Sequence, residues 1–409
     1  MSESFDVAIV GGGMVGSSLA VALRPLGLKV ALIEAVPHDA ASQPSFDERT
    51  TALSNGSRRI LETLAVWGEV SGAATPISRI HVSDRGRFGF ARIDAAEQGL
   101  PAMGYVLANR SLGHALWSRI QVDPELRVFC PAHIEAVTPG AQSSELSIRV
   151  ADRPPESIEA RLVVAADGVQ SAVRAAFGVD AETRDYAQTA VITTILPQRF
   201  HEHVAYERFT DEGPLALLPL ADGRCTLVLT LARARVEAAM SAGDSEFLAE
   251  AQRRFGFRLG RFLKVGRRFA YPLALTQALR TSAARCVIVG NAAQSLHPVA
   301  GMGFNLGLRD VASVAELIAD MRAEGMSDFG DPRLAAAYDD WRRGDRRAIV
   351  GFTDGLVRLF ANPLGVVRMA RNLGLLAFDL FPPAKSALSA LSTGAAGRAP
   401  KLACGIALA

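Results

Sequence analysis

The apolar positions near the start of the chain follow the pattern of a buried strand, a helix and a second strand. Residues 5–10 read FDVAIV, a short β-branched run that is typical of a buried parallel strand. The glycine-rich stretch GGGMVG follows at once, and then come the helical stretch SSLAVALRPLG and a second strand, LKVALIEA. The pattern therefore predicts a strand, a glycine loop, a helix and a strand in residues 5–35.

The spacing of the glycines in this unit, GxGxxG, is that of a dinucleotide-binding loop. Gly11 permits a tight turn, Gly13 lets the backbone approach a pyrophosphate, and Gly16 lets the helix pack closely on the strand. Glu34 ends the second strand, where a carboxylate would accept hydrogen bonds from a ribose hydroxyl. An acidic residue there fits NAD as well as the adenosine half of FAD, and this unit alone leaves both open.

Two later stretches repeat the succession of buried strand, glycine turn and helix. Residues 161–174 read RLVVAADGVQSAVR, in which the strand ends at Asp167 and Gly168. Residues 285–310 read RCVIVGNAAQSLHPVAGMGFNLGLRD, with a helix expected to start near Asn305. Their glycines and helix N-termini would bring bare backbone N–H groups against a flat, electron-accepting ring. Each stretch alone can be an ordinary connection, but the three units in this order indicate a flavin site.

The pattern changes in the middle of the chain, where short apolar runs alternate with period two. The runs are AVITTILPQ, HVAYERF, GPLALLPL and CTLVLTLA, and residues 78–93 predict a further strand pair around Gly86. Residues 245–263 predict a helical insertion against these strands. We expect an antiparallel sheet that forms a lid over the flavin.

Composition and charge narrow the class of protein. A chain of 409 residues, 49% hydrophobic and 21% charged, is expected to form two globular domains. The formal net charge of +2 gives no basic stripe for nucleic acid, and the four widely spaced cysteines do not have the spacing of a metal site. The N-terminal residues lack a signal-peptide pattern, and no apolar run reaches the length of a membrane span. We expect a cytoplasmic protein, with peripheral membrane contact left open.

The three glycine motifs together resemble those of the flavin-dependent aromatic hydroxylases with a p-hydroxybenzoate-hydroxylase-like fold, over residues 5 to about 350. A closer similarity, to the ubiquinone-biosynthesis hydroxylases and among them the 2-polyprenyl-6-methoxyphenol hydroxylases, rests on FDERTTALSNGSRRIL, GPLALLPL and VGNAAQSLHPVAGMGFNLGLRD. Asn291 stands where the wider family has Asp, and Met302 where Gln is more common. An asparagine can still bond a ribityl hydroxyl, without charge.

The resemblance implies an α/β fold with a Rossmann-like FAD-binding domain, an inserted antiparallel-sheet substrate domain and C-terminal helices. Each domain is expected to be assembled from separated segments. The FAD-binding domain would comprise residues 1–77, 101–180 and 273–350, the substrate domain residues 78–100 and 181–272, and the helical tail residues 351–409.

The resemblance also implies contacts to the cofactor, residue by residue. The ADP half of FAD would be contacted by Gly11, Gly13, Gly16 and Glu34. The FAD phosphates or ribityl chain would be contacted by Arg49 and Arg110, although an exposed structural role is the rival interpretation of Arg49. The ribityl chain and flavin would lie near Asp167, Asn291, Gly301, Gly303 and Asn305.

The reaction implied is the hydroxylation of a polyprenylated phenol by dioxygen. NAD(P)H or another reductant would reduce FAD, dioxygen would add as the C4a-hydroperoxyflavin, and its distal oxygen would pass to an electron-rich ring carbon. The route needs a dry pocket, for which Leu218, Pro219, His297 and Pro298 are the candidate walls. His297 either changes charge near neutral pH, which would tune the flavin or a phenol proton, or is a loop histidine satisfied by backbone.

Three arginines, Arg358, Arg368 and Arg371, lie among apolar residues in the tail. A helix packed on the parent domain explains this pattern, and a basic amphipathic helix on a membrane or on a partner of a ubiquinone-biosynthesis complex is the alternative. Two other functions also fit the glycine motifs: a polyprenyl reductase of the same fold, and a non-catalytic FAD-binding subunit. The sequence leaves open the ring position, the prenyl length, the electron donor and the oligomeric state.

Overall fold

The computed structural model describes residues 3–40, 43–47, 49–362, 364–393 and 397–408. Within them the chain forms twenty β-strands and eleven α-helices. The strands are β1 Glu3–Val10, β2 Val30–Ile33, β3 Thr50–Ser54, β4 Thr75–Ile77, β5 Arg79–Asp84, β6 Phe90–Asp94, β7 Gly104–Ala108, β8 Leu126–Phe129, β9 Ala132–Thr138, β10 Ser144–Val150, β11 Glu156–Ala165, β12 Ala181–Pro197, β13 Val204–Phe209, β14 Leu215–Pro219, β15 Cys225–Ala232, β16 Phe262–Val265, β17 Phe269–Ala278, β18 Ser282–Ala283, β19 Cys286–Ile288 and β20 Gln294–Ser295. The helices are α1 Met14–Leu23, α2 Asn55–Thr63, α3 Trp67–Val70, α4 Asn109–Gln121, α5 Ala172–Ala176, α6 Val236–Ser241, α7 Asp244–Phe255, α8 Met302–Ala323, α9 Pro332–Ala361, α10 Gly365–Leu380 and α11 Pro382–Thr393.

The first sheet has eight strands and carries the Rossmann-like half of the molecule. Strand β1 pairs in parallel with β2 and β11, and further parallel pairs join β2 to β8 and β11 to β19. Both faces of β1 are buried, because Val7 and Ile9 pack towards α1 and α8 while Ala8 and Val10 pack towards β10. Burial on both faces explains the continuous apolar run FDVAIV, and the predicted strand, loop, helix and strand are confirmed.

The second sheet has nine strands in the order β20-β17-β12-β15-β14-β13-β5-β6, with β16 paired to β12. Its pairs are antiparallel except for β13 with β5. The four predicted runs lie in β12, β13, β14 and β15, and residues 78–93 form the β5–β6 hairpin, as predicted. The alternation in β15 buries Leu227, Leu229 and Leu231 against α7.

Three features differ from the sequence predictions. The helical insertion expected over residues 245–263 ends at Phe255, because Gly256 adopts a φ of 87° there, and residues 262–265 form a strand instead. Strand β17 was missed, and it stays paired with β12 as far as Ala278, across the expected boundary at residue 272. A small sheet of β3, β7 and β4 was also missed.

The tail comprises the last turns of α9, then α10 and α11, and a final 3-10 turn at Lys401–Cys404 that packs on α2 and α8. Helix α10 packs on the edge strand β6, which confirms the interpretation of a helix docked on the parent domain. The basic amphipathic pattern was wrong for Arg371, whose side chain is buried and ion-paired with Asp84. Among the described helices, none has the length and apolarity needed to span a bilayer.

Candidate cofactor and substrate site

A cavity of about 500 Å³ opens at the carboxyl ends of β1, β2 and β11. This is the position where open α/β sheets bind ligands. Six of the residues expected to contact FAD line it: Gly11, Gly13, Glu34, Asp167, Asn291 and Gly303. The structure therefore brings together residues from all three glycine motifs.

The glycines of the first motif leave room that any side chain would fill. Gly11 has a φ of 102°, and a Cβ atom on it would overlap the carbonyl of Ala166. A Cβ atom on Gly16 would overlap the carbonyl oxygen of Gly11, and one on Gly13 would lie 2.7 Å from Ser45 Oγ. Since only glycine fits these positions, the backbone N–H groups at the start of α1 stay open to an anionic ligand.

Glu34 lies at the far side of this loop. Its carboxylate accepts hydrogen bonds from the backbone N–H groups of Gly12 and Val36, the latter at 2.8 Å, and from Gln43 Nε2 at 3.4 Å. The side chain is buried, which fixes the carboxylate at the rim of the cavity. A buried carboxylate can accept hydrogen bonds from the ribose hydroxyls of FAD, and the glycine turn beside it offers N–H groups to the pyrophosphate, so the residues present fit that cofactor.

Asp167 and Asn291 form the opposite wall. Asp167 accepts hydrogen bonds from Ser171 Oγ and from the backbone N–H of Val173 at 3.1 Å, so its carboxylate is fixed at the start of α5. Asn291 is exposed in the turn after β19, and Gly303 has no atom within 4 Å of where a Cβ would lie. That free space lets a flat ring approach the first turn of α8 closely.

A buried ion pair that the sequence reasoning missed supports the Asn291 turn. Asp310 accepts hydrogen bonds from the backbone N–H of Gly290 at 3.2 Å and from Gln294 Nε2 at 3.0 Å. Arg342 Nε donates to the same carboxylate at 2.8 Å, and the two side chains are 1% and 0% exposed. Asp310 is the last residue of the third glycine motif, residues 285–310, but its partner Arg342 lies in α9. No local sequence pattern predicts that the two residues form a pair.

Asn305 and Gly301 hold the start of α8 in place. Asn305 Nδ2 donates to the carbonyl oxygens of Ala52 and Gly301, each at 2.8 Å, and its Oδ1 accepts from the backbone N–H of Ser54 at 2.7 Å. Gly301 has a φ of 60° as the residue before the helix. These contacts fasten β3 to α8 beside Gly303, and a direct contact of Asn305 with the cofactor stays a prediction.

The two arginines expected at the phosphates do not line the cavity. Arg49 Nε donates to Asp47 Oδ2 at 2.6 Å, and its guanidinium lies 4.5 Å from the centre of the Tyr271 ring. Its neighbours Pro44 and Ser45 do line the cavity. Arg110 is exposed in the first turn of α4. Their contacts with FAD stay predictions.

A second cavity, of about 630 Å³, lies between the second sheet and the C-terminal helices. Its walls are almost wholly apolar and come from β5, β6, β13, α9, α10, α11 and the loop before α8. They include Ile80, Ile93, Phe209, Val299, Phe352, Leu356, Phe360, Leu375 and Phe378. The sequence reasoning missed this cavity, since its lining residues are apolar side chains from separated segments with no shared motif.

The loop between β20 and α8 lies at the apolar cavity, which Val299 lines, and the first turn of α8 that follows it lines the cofactor cavity with Gly303. His297 in this loop is 1% exposed, accepts a hydrogen bond from the Val299 N–H at 3.2 Å, and packs edge-on against Tyr186. Burial lowers the pKa of His297 to about 4, so the expectation of a charge change near neutral pH was wrong.

The other three expected pocket walls are not among the described residues that line the apolar cavity. Leu218 belongs to an apolar cluster that shares Ile80, Ile93 and Phe378 with the cavity wall. Pro219 is buried at the end of β14, opposite Cys225. Pro298 precedes Val299 in the bordering loop. Their roles as pocket walls stay predictions.

Several residues of the first cavity were also missed. They come from the loop after β2 and from β9, and they are Gln43, Pro44, Ser45, Ala132, His133 and Ile134. Gln43 fixes this loop, since its Nε2 donates to the carbonyl oxygen of Val36 at 3.0 Å and its Oε1 accepts from the Ser45 N–H at 2.8 Å. Only the tertiary arrangement identifies these positions, because nothing in their local sequence distinguishes them.

Comparisons with known proteins agree with this geometry. The FAD binding domain family model matches residues 4–353. Ubiquinone hydroxylase UbiL of Rhodospirillum rubrum is 38% identical over 380 residues, which cover 93% of this chain and 87% of that protein. The 3-demethoxyubiquinol 3-hydroxylase of Escherichia coli is 33% identical over 382 residues, which cover 92% of this chain and 95% of its own.

A likeness to solved structures shows the same fold. The p-nitrophenol 4-monooxygenase PnpA from Pseudomonas putida superposes with a TM-score of 0.79 at 16% identity, over 97% of this chain and 99% of its own. The p-hydroxybenzoate-hydroxylase-like architecture expected from the motifs is therefore confirmed. The chain belongs to the FAD binding domain family, and it is an FAD-dependent monooxygenase related to the ubiquinone hydroxylases.

Proposed function

We propose that this monooxygenase hydroxylates a polyprenylated phenol in ubiquinone biosynthesis. The observation that carries the proposal is the apolar cavity of about 630 Å³, which lies beside the cofactor cavity. Its volume is within the range of small-molecule sites, and its wall of Ile, Val, Leu and Phe side chains suits an isoprenoid tail. The ubiquinone hydroxylases named among the relatives support the same substrate class.

The phenol ring would lie at the Val299 end of this cavity. Val299 lies shortly before the first turn of α8, where Gly303 lines the cofactor cavity, so a ring at Val299 would lie near the wall formed by Gly303 and Asn291. Bound FAD would supply the activation of dioxygen, and the glycine turns and Glu34 would hold its ADP half. The chain's own contribution at the ring is position and exclusion of water.

The side chains near Val299 are suited to a dry site without acid–base chemistry. His297 is neutral at pH 7, and Tyr186 donates its hydroxyl hydrogen to Asp354 Oδ1 at 3.1 Å. Burial and the Asp354 carboxylate raise the pKa of Tyr186 above its ordinary value, so the phenol keeps its proton. Apolar packing of Val299 with Phe209 and Phe360 completes this wall.

We propose NAD(P)H as the electron donor. We also propose that the protein works in peripheral contact with a membrane, because polyprenylated phenols reside there. Partner proteins of a ubiquinone-biosynthesis complex, expected from the resemblance, stay a prediction that co-purification with the tagged full-length chain would test. The polyprenyl reductase and the non-catalytic subunit are disfavoured, because the relatives at 38% and 33% identity are named hydroxylases.

The test is turnover of a short-chain prenylated methoxyphenol by the FAD-loaded protein under isotopically labelled dioxygen. We expect oxidation of the nicotinamide donor together with one labelled oxygen atom on the ring, detected by mass spectrometry. Donor oxidation with a saturated prenyl product and no label would establish the reductase. FAD binding without any turnover, with each nicotinamide donor and with a chemical reductant, would establish the non-catalytic subunit.

A further inference from the structure

Helix α10 has its polar and apolar faces reversed relative to an ordinary surface helix. Its polar residues Arg371 and Asn372 are buried against the β5–β6 hairpin, where Arg371 Nε donates to Asp84 Oδ2 at 3.1 Å and Asn372 Oδ1 accepts from the Gly89 N–H at 2.9 Å. Asp379 is half-buried beside Arg92 and Lys385, with which it forms ion pairs. The polar side of the helix thus serves as its anchor to the protein.

The outward side of α10 is apolar along its whole length. Val366 is 83% exposed, Met369 65%, Leu373 55% and Leu380 81%, and Ala370 and Ala377 lie between them on the same side. The patch continues into Phe381 at the end of the helix, which is 58% exposed. A continuous apolar face of this kind marks a surface that is covered by something other than water.

Two observations favour a lipid bilayer as the covering medium. The first is continuity with the apolar cavity, because Val366, Ala370 and Gly374 belong both to this side of α10 and to the cavity wall. A prenyl tail that leaves the cavity along these residues would therefore emerge at the apolar face. A bilayer is the medium that accepts such a tail on the other side.

The second observation is the charge around this face. Arg358 is exposed, at 2.8 Å from Asp354, and Arg368 is half-buried, whereas Arg371 lies buried in its ion pair with Asp84. The turn of the β5–β6 hairpin, held to α10 through Gly89 and Asn372, adds an exposed Arg87 and an exposed Phe88. An apolar face bordered by arginines and an aromatic ring matches anionic headgroups over an acyl layer.

We propose that the outward side of α10, with the Phe88 turn beside it, docks on an anionic bilayer so that the prenyl tail passes from the membrane directly into the apolar cavity. This inference rests on the proposed function for the identity of the tail. The docking itself rests on the reversed helix and is measured without turnover.

The test is flotation of the full-length, FAD-loaded protein with vesicles of phosphatidylethanolamine and phosphatidylglycerol. The variant carries Met369→Asp, Leu373→Asp and Leu380→Asp, three exposed positions that do not line the cavity. The matched control carries Val122→Asp, Leu263→Asp and Leu279→Asp, which are 62%, 52% and 60% exposed elsewhere on the molecule. Circular dichroism and flavin absorbance verify that both variants are folded and loaded.

We expect the wild type and the control to float, and the α10 variant to float about tenfold less. With prenylated phenol embedded in the vesicles, product formation by the α10 variant falls by a similar factor, whereas its turnover of a water-soluble phenol equals that of the wild type. Equal flotation of all three proteins would overturn the docking face, even if hydroxylation is found. A wild-type dimer that the α10 variant splits, without flotation, would overturn it in favour of a second copy of this chain.

If no phenol is hydroxylated but flotation still depends on α10, the proposed function fails and the docking face stands. Flotation and turnover therefore separate the two proposals.

Discussion

The two cavities of this enzyme are built in different ways. The cofactor cavity is shaped by backbone at its first glycine turn, since a Cβ atom on Gly11 would collide with the carbonyl group of Ala166 and one on Gly13 with the hydroxyl of Ser45. The apolar cavity is shaped by side chains, and its wall combines strands, helices and a loop that lie far apart in the sequence. A backbone-built site requires particular residues at fixed spacings, whereas a site built from side chains requires only apolar groups of suitable size.

Each cavity is also supported by a buried Arg–Asp pair. Arg342 and Asp310 lie behind the cofactor cavity and join α9 to α8 and to the Gly290 turn. Arg371 and Asp84 lie beside the apolar cavity and join α10 to the edge of the second sheet. The first pair sits between elements of the central core, and the second fastens a peripheral helix. Removal of the first ion pair should therefore lower global stability, whereas removal of the second should loosen α10 locally.

The largest effect is expected for Gly16→Ala. The new Cβ atom would overlap the Gly11 carbonyl, so α1 must move away from β1 and the phosphate turn is lost. We expect a loss of more than about 3 kcal/mol in the free energy of unfolding and no retained FAD, measured by urea unfolding and flavin absorbance. The control is Gly344→Ala in α9, where a Cβ meets no atom within 4 Å and should stabilise by up to about 1 kcal/mol. Retention of FAD by Gly16→Ala would refute the backbone-built cradle.

The next largest effect is expected from removing the arginine of each buried ion pair, and it should differ between the two pairs. Arg342→Leu leaves Asp310 buried without its cation and should cost about 3–5 kcal/mol of global stability, with weakened FAD binding. Arg371→Leu should release α10 locally, so hydrogen exchange speeds up in residues 365–380 while the midpoint of global unfolding stays close to that of the wild type. Equal global destabilisation by both variants would show that the C-terminal helices belong to the same cooperative unit as the core.

A smaller effect is expected when the apolar cavity is narrowed. Gly374 lines the cavity with open space around it, so Gly374→Phe should intrude on the prenyl tail. We expect KM for a prenylated phenol to rise about tenfold, or about 1.4 kcal/mol, with unchanged kcat for a phenol without a tail. The matched control is Gly365→Phe on the same helix, which has similar open space but does not line the cavity. An unchanged KM in both variants would place the tail elsewhere.

The smallest expected effect is on the pH dependence of the free energy of unfolding, through His297. Burial lowers the pKa of His297 to about 4, below the ordinary value of 6.5, so the unfolded chain binds the proton more readily than the folded protein. The stability from the neutral ring is present above pH 6.5 and is lost as the pH falls towards 4. By pH 5.5 this loss should be about 1 kcal/mol, seen as a steeper decline in wild-type stability than in His297→Phe. Parallel pH profiles would show that His297 does not carry this dependence.

Most of the cofactor-binding part of the molecule could be predicted from the sequence, because its sequence patterns are local. The β-branched run in β1, the glycines of the first turn and Glu34 lie within one continuous unit, and each residue type has a steric or polar reason to be there. The four central strands were also predictable, since their alternation follows from one face packing on α7.

The remainder depends on tertiary contacts that local patterns do not encode. Arg371 would belong to a basic surface in the alternative interpretation of the tail, but it is buried because Asp84, far away in the sequence, faces it. Strand β17 was missed since its pairing with β12 is distant in sequence. The apolar cavity was missed because an apolar residue in a wall and one in a core have the same local pattern.

The central claim is that the prenyl tail lies in the apolar cavity with the ring at Val299. The most direct measurement uses a prenylated phenol with a photoreactive diazirine at the end of its tail, cross-linked to the FAD-loaded protein during turnover and mapped by peptide mass spectrometry. We expect cross-links in residues 352–375, where α9 and α10 line the cavity, and their loss in Gly374→Phe. Cross-links confined to other parts of the chain, with hydroxylation continuing, would contradict the claim.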